Sequence, residues 1–287
     1  MSYPKQIGPF KLYEKEPNDI CFGAIYTLEV TLPLLYYKKR TVRVYLPEDF
    51  DQSKKYPVLF MSDGQNIVDK YTSAYGAWEI DKRQHELLAQ GYKSFIVVGI
   101  DCPKGPIERA IEYSFPFLAI TNWESGNYEK TQKYEFESHM LYKYIAEDLF
   151  PLIKNLFPIS DNRDEIACGG SSMGGVFALS LLLSYPEVFG CALCFSPGYF
   201  LYDRGEVKKY IDARLSNLDN KHRMFFYSGN VGFEHAFLED TERMYNYFID
   251  NGFSKEKVGL LVDLEAEHNE YCWSLHFNEA IKFWQKL

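Results

Sequence analysis

The sequence predicts an α/β fold in which a mostly parallel central sheet is covered by helices on both faces and follows an N-terminal antiparallel hairpin. From residue 41 onward, short runs of β-branched or aromatic residues alternate with longer stretches in which apolar residues recur three and four positions apart. Several short runs are apolar almost throughout, which is typical of strands buried on both faces. Residues 24–35 instead alternate apolar and polar side chains, which favours a hairpin.

The hairpin strand is followed by Lys38, Lys39 and Arg40, which we interpret as its polar turn. The alternating region then predicts strands and helices in turn, and Gly91 and Gly252 stand where two of the helices should end. The predicted strands are 41–46, 57–62, 94–100, 165–169, 191–195, 223–227 and 258–264. The predicted helices are 78–90, 138–156, 173–184, 205–218, 239–250 and 274–285.

Residues 101–134 show no clear period and are rich in proline, glycine and aromatic residues. A structureless connection of this length is usually a functional loop or lid, and we predict one here. The chain contains no internal repeat, low-complexity tract or linker-like segment that would divide it. We therefore predict a single domain over residues 1–287, because wound α/β domains often exceed 250 residues.

Charge and hydropathy exclude several classes of partner. The 40 Asp and Glu residues outnumber the 31 Lys and Arg residues, and the resulting net charge of −9 repels nucleic acid. The most apolar region, 176–195, is interrupted by Ser184, Pro186 and Glu187, so no membrane span is expected. Residues 1–12 do not resemble a signal peptide, which predicts a cytoplasmic protein with reduced cysteines.

No metal or cofactor site is predicted. The glycine-rich segment 170–175 lacks the lysine of a phosphate-binding loop, and neither a dinucleotide fingerprint nor a zinc-binding helix motif occurs. Cys191 and Cys194 lie three apart on a predicted strand, so their side chains should point to opposite faces. We expect both thiols to be core residues.

The most specific motif is the G-x-S-x-G arrangement at 170–174, placed between a predicted strand and a predicted helix. A serine nucleophile must project from a sharp strand-to-helix turn, and flanking glycines allow that backbone to form. Ser172 is the predicted nucleophile. The N–H of Met173, at the start of the following helix, is a predicted oxyanion donor.

A nucleophilic serine on this type of turn requires an acid and then a histidine from loops after later strands. His268 follows the last predicted strand and is the predicted base; Glu234 follows strand 223–227 and is the predicted acid. His235 is an alternative base. Glu239 and Asp240 are alternative acids, although both stand where a helix should begin and carboxylates commonly cap.

The second oxyanion donor is expected in the loop after strand 57–62. The N–H of Gln65 is the candidate because Gly64 permits a close turn there, and Asp63 is interpreted as a plain turn residue. Substrate-binding candidates are Trp78, Arg109 and Tyr113. Arg109 could bind a substrate carboxylate, but an ion pair with Glu112 is the commoner arrangement. An acyl or aryl pocket could be formed by Trp78, Trp123, Tyr113, Tyr199 and Phe200, with core packing as the alternative for each.

Several of these segments, taken together, resemble a known family. They are PVLFMSDGQN at 57–66, VVGID at 97–101, Arg109 with EYS at 112–114, GSSMGG at 170–175, and HNE at 268–270 with Trp273. The set is similar to the putative esterase family of α/β-hydrolases, which includes esterase D, the enterobactin esterases, the feruloyl esterases and the antigen 85 mycolyltransferases. The likeness spans roughly residues 40–287.

The resemblance implies an α/β-hydrolase fold, Ser172 as nucleophile, Glu234 as acid, His268 as base, and the amides of Gln65 and Met173 as oxyanion hole. We therefore predict a serine carboxylic-ester hydrolase that acts through an acyl-enzyme on a small-molecule ester without a cofactor. A homo-oligomer is compatible with the sequence. The alternatives are an acyltransferase with the same triad and a non-catalytic binding protein that retains the fold.

Overall fold

The computed structural model describes residues 3–13, 22–35, 38–68, 71–73, 76–121 and 138–286. These residues form one ten-stranded sheet, whose order is β1-β2-β3-β4-β6-β5-β7-β8-β9-β10. The strands are β1 (Gln6–Ile7), β2 (Phe10–Leu12), β3 (Ala24–Leu32), β4 (Lys38–Leu46), β5 (Val58–Ser62), β6 (Ile96–Ile100), β7 (Ile166–Ser171), β8 (Cys191–Phe195), β9 (Arg223–Ser228) and β10 (Val258–Val262).

The strands from β6 to β10 in this order are parallel, whereas β1 to β4 are antiparallel. Helices pack on both faces. They are α1 (Ile80–Ala89), α2 (Pro106–Tyr113), α3 (Ser138–Tyr144), α4 (Phe150–Leu156), α5 (Met173–Ser184), α6 (Arg204–Leu215), α7 (His235–Asp250), α8 (Glu270–Leu275) and α9 (Phe277–Trp284). The predicted α/β class, with its mostly parallel sheet and helices on both sides, is confirmed.

The core has two parts, one on each face of the sheet. Helices α2 to α7 contribute to one apolar cluster, and α1, α8 and α9 contribute to the other. Helix α5 lies at the centre of the first cluster, and its residues from Met173 to Leu183 are all buried. This burial explains why its sequence is apolar on all sides rather than on one stripe. No helix in the described ranges is long and apolar enough to cross a membrane.

The hairpin exists, but its polar turn lies elsewhere. Strand β3 pairs with β4 from Ala24 with Leu46 to Leu32 with Lys38, so Lys38, Lys39 and Arg40 belong to β4. The prediction of a turn there was wrong because charge was taken as a sign of exposure. Arg40 is buried and forms an ion pair with Glu112 of α2, which lets a charged side chain occupy a strand.

The segment 101–134 is not structureless in its first part. Helix α2 begins with Pro106 at a position where a missing N–H costs nothing, and three of its residues are buried. Residues 122–137, including Trp123, lie outside the described part of the chain. The predicted helix 138–156 also differs, because a π-helical turn at Ile145–Leu149 separates α3 from α4 just before Pro151. Proline disrupts the hydrogen bonding of the preceding turn, which accounts for the break.

Candidate active site

Ser172 occupies the sharp turn between the end of β7 and the start of α5. Its backbone has φ 59° and ψ −121°, a conformation that non-glycine residues rarely adopt. Backbone hydrogen bonds hold it: its N–H donates to Phe195 O at 2.9 Å, and its carbonyl accepts from Gly198 N at 3.2 Å as well as from Gly175 N at 3.0 Å in the first turn of α5. The side chain is half-buried, so the turn presents the hydroxyl at the carboxyl end of the parallel strands.

The flanking glycines are required by close packing. A Cβ atom at Gly170 or at Gly174 would collide with the Oγ of Ser62, the last residue of β5. Glycine at both positions therefore lets the end of β5 lie directly against the serine turn. This contact brings the loop after β5, which contains Gln65, next to Ser172.

His268 and Glu234 are joined by a hydrogen bond between Nδ1 of the ring and Oε2 of the carboxylate. Glu234 is fully buried, and its Oε1 also accepts from Gly229 N at 2.8 Å and from the hydroxyl of Ser196. An ionised carboxylate only accepts hydrogen bonds, so a neutral imidazole paired with one through Nδ1 would carry its proton there and keep a lone pair on Nε2. The pair has the chemistry of an oriented base and its acid.

Aromatic side chains surround the His268 ring. Phe237 stacks on it with ring centroids 4.2 Å apart, and Trp273 and Phe233 meet it edge to face at 4.8 and 5.4 Å. Phe233 is mainly exposed, whereas Phe237 and Trp273 are buried. These contacts hold the plane of the imidazole, and 15% of the His268 side chain remains exposed.

Ser172 and His268 approach the same segment of chain, residues 195–198. Ser172 bonds to the backbone of this segment, and the Ser196 side chain bonds to Glu234, which holds His268. Within the described ranges, the Ser172 hydroxyl and the His268 ring form no hydrogen bond in this structure. Catalytic hydrogen bonds are often long in unliganded enzymes and shorten when substrate binds.

The two predicted oxyanion donors are free to receive a ligand. Met173 is the first residue of α5, and Gln65 lies in a short 3₁₀ turn at Gly64–Asn66. In the described part of the molecule, neither backbone N–H donates to a protein acceptor. Met173 directly follows the serine turn, and Gln65 lies in the loop after Ser62, the residue that packs against Gly170 and Gly174 of that turn.

Arg109 and Tyr113 do not have the arrangement that the sequence suggested. Arg109 does not pair with Glu112; its guanidinium makes two hydrogen bonds of 2.8 Å to the carboxylate of Asp63. The hydroxyl of Tyr113 accepts the Asp63 N–H at 3.0 Å. Asp63 is therefore more than a plain turn residue. Its backbone has a φ of 53°, and both its carboxylate and its N–H form hydrogen bonds with side chains of α2.

Trp78 and Tyr113 are each about 1% exposed, so neither presents a surface to a substrate in this structure. Trp78 packs against Phe195 and Trp273 at centroid distances of 4.9 and 5.9 Å, behind the site. The Arg109 side chain is 24% exposed, but its Nε and Nη2 groups already donate to the carboxylate of Asp63. Direct substrate contact by these three residues therefore remains a prediction that the burial disfavours for Trp78 and Tyr113.

The alternative acids and base are engaged elsewhere. His235 bonds to Asn230 on the surface. Asp240 is buried and forms ion pairs with Arg204 and Arg243, and the neighbouring Glu239 is exposed and pairs with the same two arginines. Of the three candidate acids, all of which the structure describes, only Glu234 forms a hydrogen bond with His268.

Two residues near the site were not anticipated. Ser196 bonds to Glu234, as described above. Glu270 is buried, and its Oε1 accepts from Asn66 Nδ2 at 2.8 Å, which joins the loop after β5 to the loop that carries His268. Burial, with a further contribution from Asp63, raises the pKa of Glu270 to about 7. Its sequence signal was its place in the HNE segment at 268–270, which does not reveal that the side chain is buried.

The fold and the arrangement at the carboxyl ends of its strands are those of an α/β-hydrolase: a parallel sheet with a strained serine between a strand and a helix. The family model of the putative esterases matches residues 36–224, and the chain belongs to this family. It is a carboxylic ester hydrolase.

Several known proteins are similar to this chain. The iron(III) enterobactin esterase of Escherichia coli (strain K12) is 41% identical over 61 residues, which are 21% of this chain and 15% of that protein. The crystal structure of the BES protein from Bacillus cereus superposes with a TM-score of 0.72 at 16% identity, over 96% of this chain and 99% of that one. The enterobactin esterase FES from Shigella flexneri superposes with a TM-score of 0.66 at 20% identity, over 91% of this chain and 59% of that one.

Proposed function

We propose that this chain hydrolyses carboxylic esters through an acyl-enzyme formed on Ser172, with His268 as base and Glu234 as acid. The observation that carries the proposal is the hydrogen bond between the buried carboxylate of Glu234 and the ring of His268, at the same edge of the sheet as the strained turn of Ser172. This hydrogen bond supports His268 as an oriented base for the serine of that turn.

In the first half of the reaction, the Ser172 hydroxyl attacks the ester carbonyl carbon while Nε2 of His268 accepts its proton. The carboxylate of Glu234 stays ionised and stabilises the imidazolium that forms. The tetrahedral intermediate then collapses, the bond to the alcohol oxygen breaks, and His268 returns the proton to the leaving alcohol. The acyl group remains attached to Ser172.

The backbone N–H groups of Gln65 and Met173 stabilise the negative charge that develops on the carbonyl oxygen. Both amides lack a protein acceptor in the described ranges, which supports this role. The position of Met173 at the start of α5 adds the positive end of the helix dipole. Such donors act mainly on the transition state, because the charge appears only there.

In the second half, a water molecule replaces the alcohol. His268 removes its proton, the resulting hydroxide equivalent attacks the acyl carbon, and collapse of the second intermediate releases the acid and restores Ser172. The steps use protein groups and water only. The substrate class we propose is a small-molecule ester, which is consistent with the enterobactin esterases among the similar proteins.

The proposal is tested by replacing Ser172 with alanine and following hydrolysis of a p-nitrophenyl ester by the purified protein. Turnover should fall by several powers of ten, as expected for loss of a nucleophile. Ser184→Ala, at the other end of α5, is the matched control and should keep normal turnover. Unchanged hydrolysis by a folded Ser172→Ala protein would exclude the mechanism.

A further inference from the structure

Ser196 follows β8 directly and adopts a backbone conformation that is costly for serine. Its φ is +42°, and its side chain is fully buried. A side chain with a Cβ is sterically disfavoured in this region, and such residues persist where surrounding interactions determine their conformation. Glycine would adopt the same backbone without strain. The serine side chain at this position therefore calls for a reason.

The hydrogen bonds of Ser196 supply that reason. The indole Nε1 of Trp273 donates to Ser196 Oγ at 2.8 Å. Because an indole N–H can only donate, it occupies a lone pair of the hydroxyl and leaves the hydroxyl proton for another acceptor. That acceptor is Oε1 of Glu234. The Trp273 N–H thus orients the Ser196 hydroxyl so that it donates its proton to the Glu234 carboxylate.

Three hydrogen-bond partners are shared between the two oxygens of the Glu234 carboxylate. Oε1 accepts from Ser196 and from Gly229 N, and Oε2 bonds to His268. Glu234 is completely shielded from solvent, so water does not readily replace a lost donor. With the hydroxyl removed, a single neutral amide would hold Oε1.

We propose that Ser196 is a positioning residue that fixes the Glu234 carboxylate for its bond to His268, with Trp273 orienting the Ser196 hydroxyl. The inference rests on the proposed Ser172–His268–Glu234 mechanism. Trp273 takes part twice, because its ring also meets the His268 ring edge to face at 4.8 Å. The backbone next to Ser196 holds Ser172 through Phe195 and Gly198. The segment 195–198 therefore contacts Ser172 and Glu234 directly and His268 through Glu234.

The decisive experiment compares Ser196→Gly with Ser196→Ala, using steady-state hydrolysis of a p-nitrophenyl ester and unfolding in urea. Both variants lose the hydroxyl, but only glycine relieves the strain at φ +42°. The glycine variant should therefore be at least as stable as the alanine variant. Both should lose about ten- to a hundredfold in kcat, with KM little changed, because a buried charged acceptor loses one donor.

A merely structural role for Ser196 gives a different result. In that case kcat would follow stability, and the unstrained glycine variant would work better than the alanine variant. Wild-type kcat in Ser196→Gly would also overturn the inference. Trp273→Phe keeps an aromatic ring beside His268 and removes the Nε1–H, so it should lower kcat, and its effect should not add to that of Ser196→Ala. Full additivity would contradict a shared network.

Failure of the inference is distinguishable from failure of the proposed function. Ser172→Ala is measured in the same assay. If that variant is inactive while Ser196→Gly retains full kcat, Ser172 remains the nucleophile and only the role of Ser196 is lost. If Ser172→Ala retains turnover, the mechanism is wrong, and the positioning role falls with it.

Discussion

Backbone strain is concentrated at the candidate site. Five non-glycine residues have positive φ in the described ranges, and three of them, Asp63, Ser172 and Ser196, lie at this edge of the sheet. Each places a specific group: Asp63 begins the turn that carries the Gln65 amide, Ser172 presents its hydroxyl, and Ser196 donates to Glu234. Strained residues of this kind persist where neighbouring contacts fix them and function uses them.

Glu270 gives a prediction that concerns stability rather than turnover. Its pKa is raised from 4.5 to about 7 in the folded protein, mainly by burial. The folded state therefore holds a proton that the unfolded state releases, and stability from this group is full below pH 4.5 and is lost as pH rises through 7. Relative to wild type, Glu270→Gln should gain on the order of 3 kcal/mol in unfolding free energy between pH 4.5 and pH 8.

The measurement is urea unfolding of both proteins at the two pH values. Glu265→Gln, an exposed glutamate in the same loop, is the control and should follow wild type at both. If the difference between Glu270→Gln and wild type were the same at both pH values, Glu270 would not be a protonated buried group, and its assigned pKa would be wrong.

At the level of elements, helix α2 holds the loop after β5. The ion pair of Arg40 with Glu112 attaches α2 to β4. Arg109, one turn before Glu112 on α2, donates two hydrogen bonds to the Asp63 carboxylate. The hydroxyl of Tyr113, the residue after Glu112, accepts the Asp63 N–H. The helix therefore fixes Asp63 from both its side chain and its backbone, two residues before the Gln65 amide.

Arg109→Lys tests this role. Lysine keeps the charge but cannot make two parallel bonds to one carboxylate, so the turn should loosen. We expect kcat to fall about ten- to a hundredfold with a smaller change in KM, because a displaced oxyanion donor weakens binding of the transition state. Steady-state kinetics with a p-nitrophenyl ester provide the measurement.

Arg163→Lys is the matched control. Arg163 is 25% exposed and bonds both oxygens of Asp219, but it precedes β7 at the opposite end of the strand from Ser172. It should leave kcat unchanged. Equal kcat in wild type and Arg109→Lys would show that α2 does not set the position of the Gln65 amide.

Periodicity and motif context predicted most elements. Strand β8 and helix α5 have the predicted bounds, because both are uniformly apolar and end at clear signals. Helix α2 was missed because the helix has only eight residues, is polar on one side and is flanked by loop-forming residues. The charges at the start of β4 were misread because burial of Arg40 depends on Glu112, which lies 72 residues away in the sequence.

For the whole molecule, the order of segments carried the prediction of the site. In a parallel sheet, loops after different strands meet at one edge, so the loops after β7, β9 and β10 were expected to converge. The structure brings Glu234 and His268 together there, across 34 residues of sequence. The contacts of Ser196 with Trp273 and of Asp63 with Arg109 were not predictable, because each depends on side-chain directions that no local pattern encodes.

The central claim is that a hydroxyl, an imidazole and a carboxylate from these separate loops act as one unit. The most direct measurement is treatment of the folded protein with a fluorophosphonate, followed by mass spectrometry of its peptides, for wild type and His268→Ala. The account predicts one adduct, on Ser172, which is strongly reduced when His268 is replaced. An adduct on another residue, or an unmodified Ser172 in active wild-type protein, would contradict it.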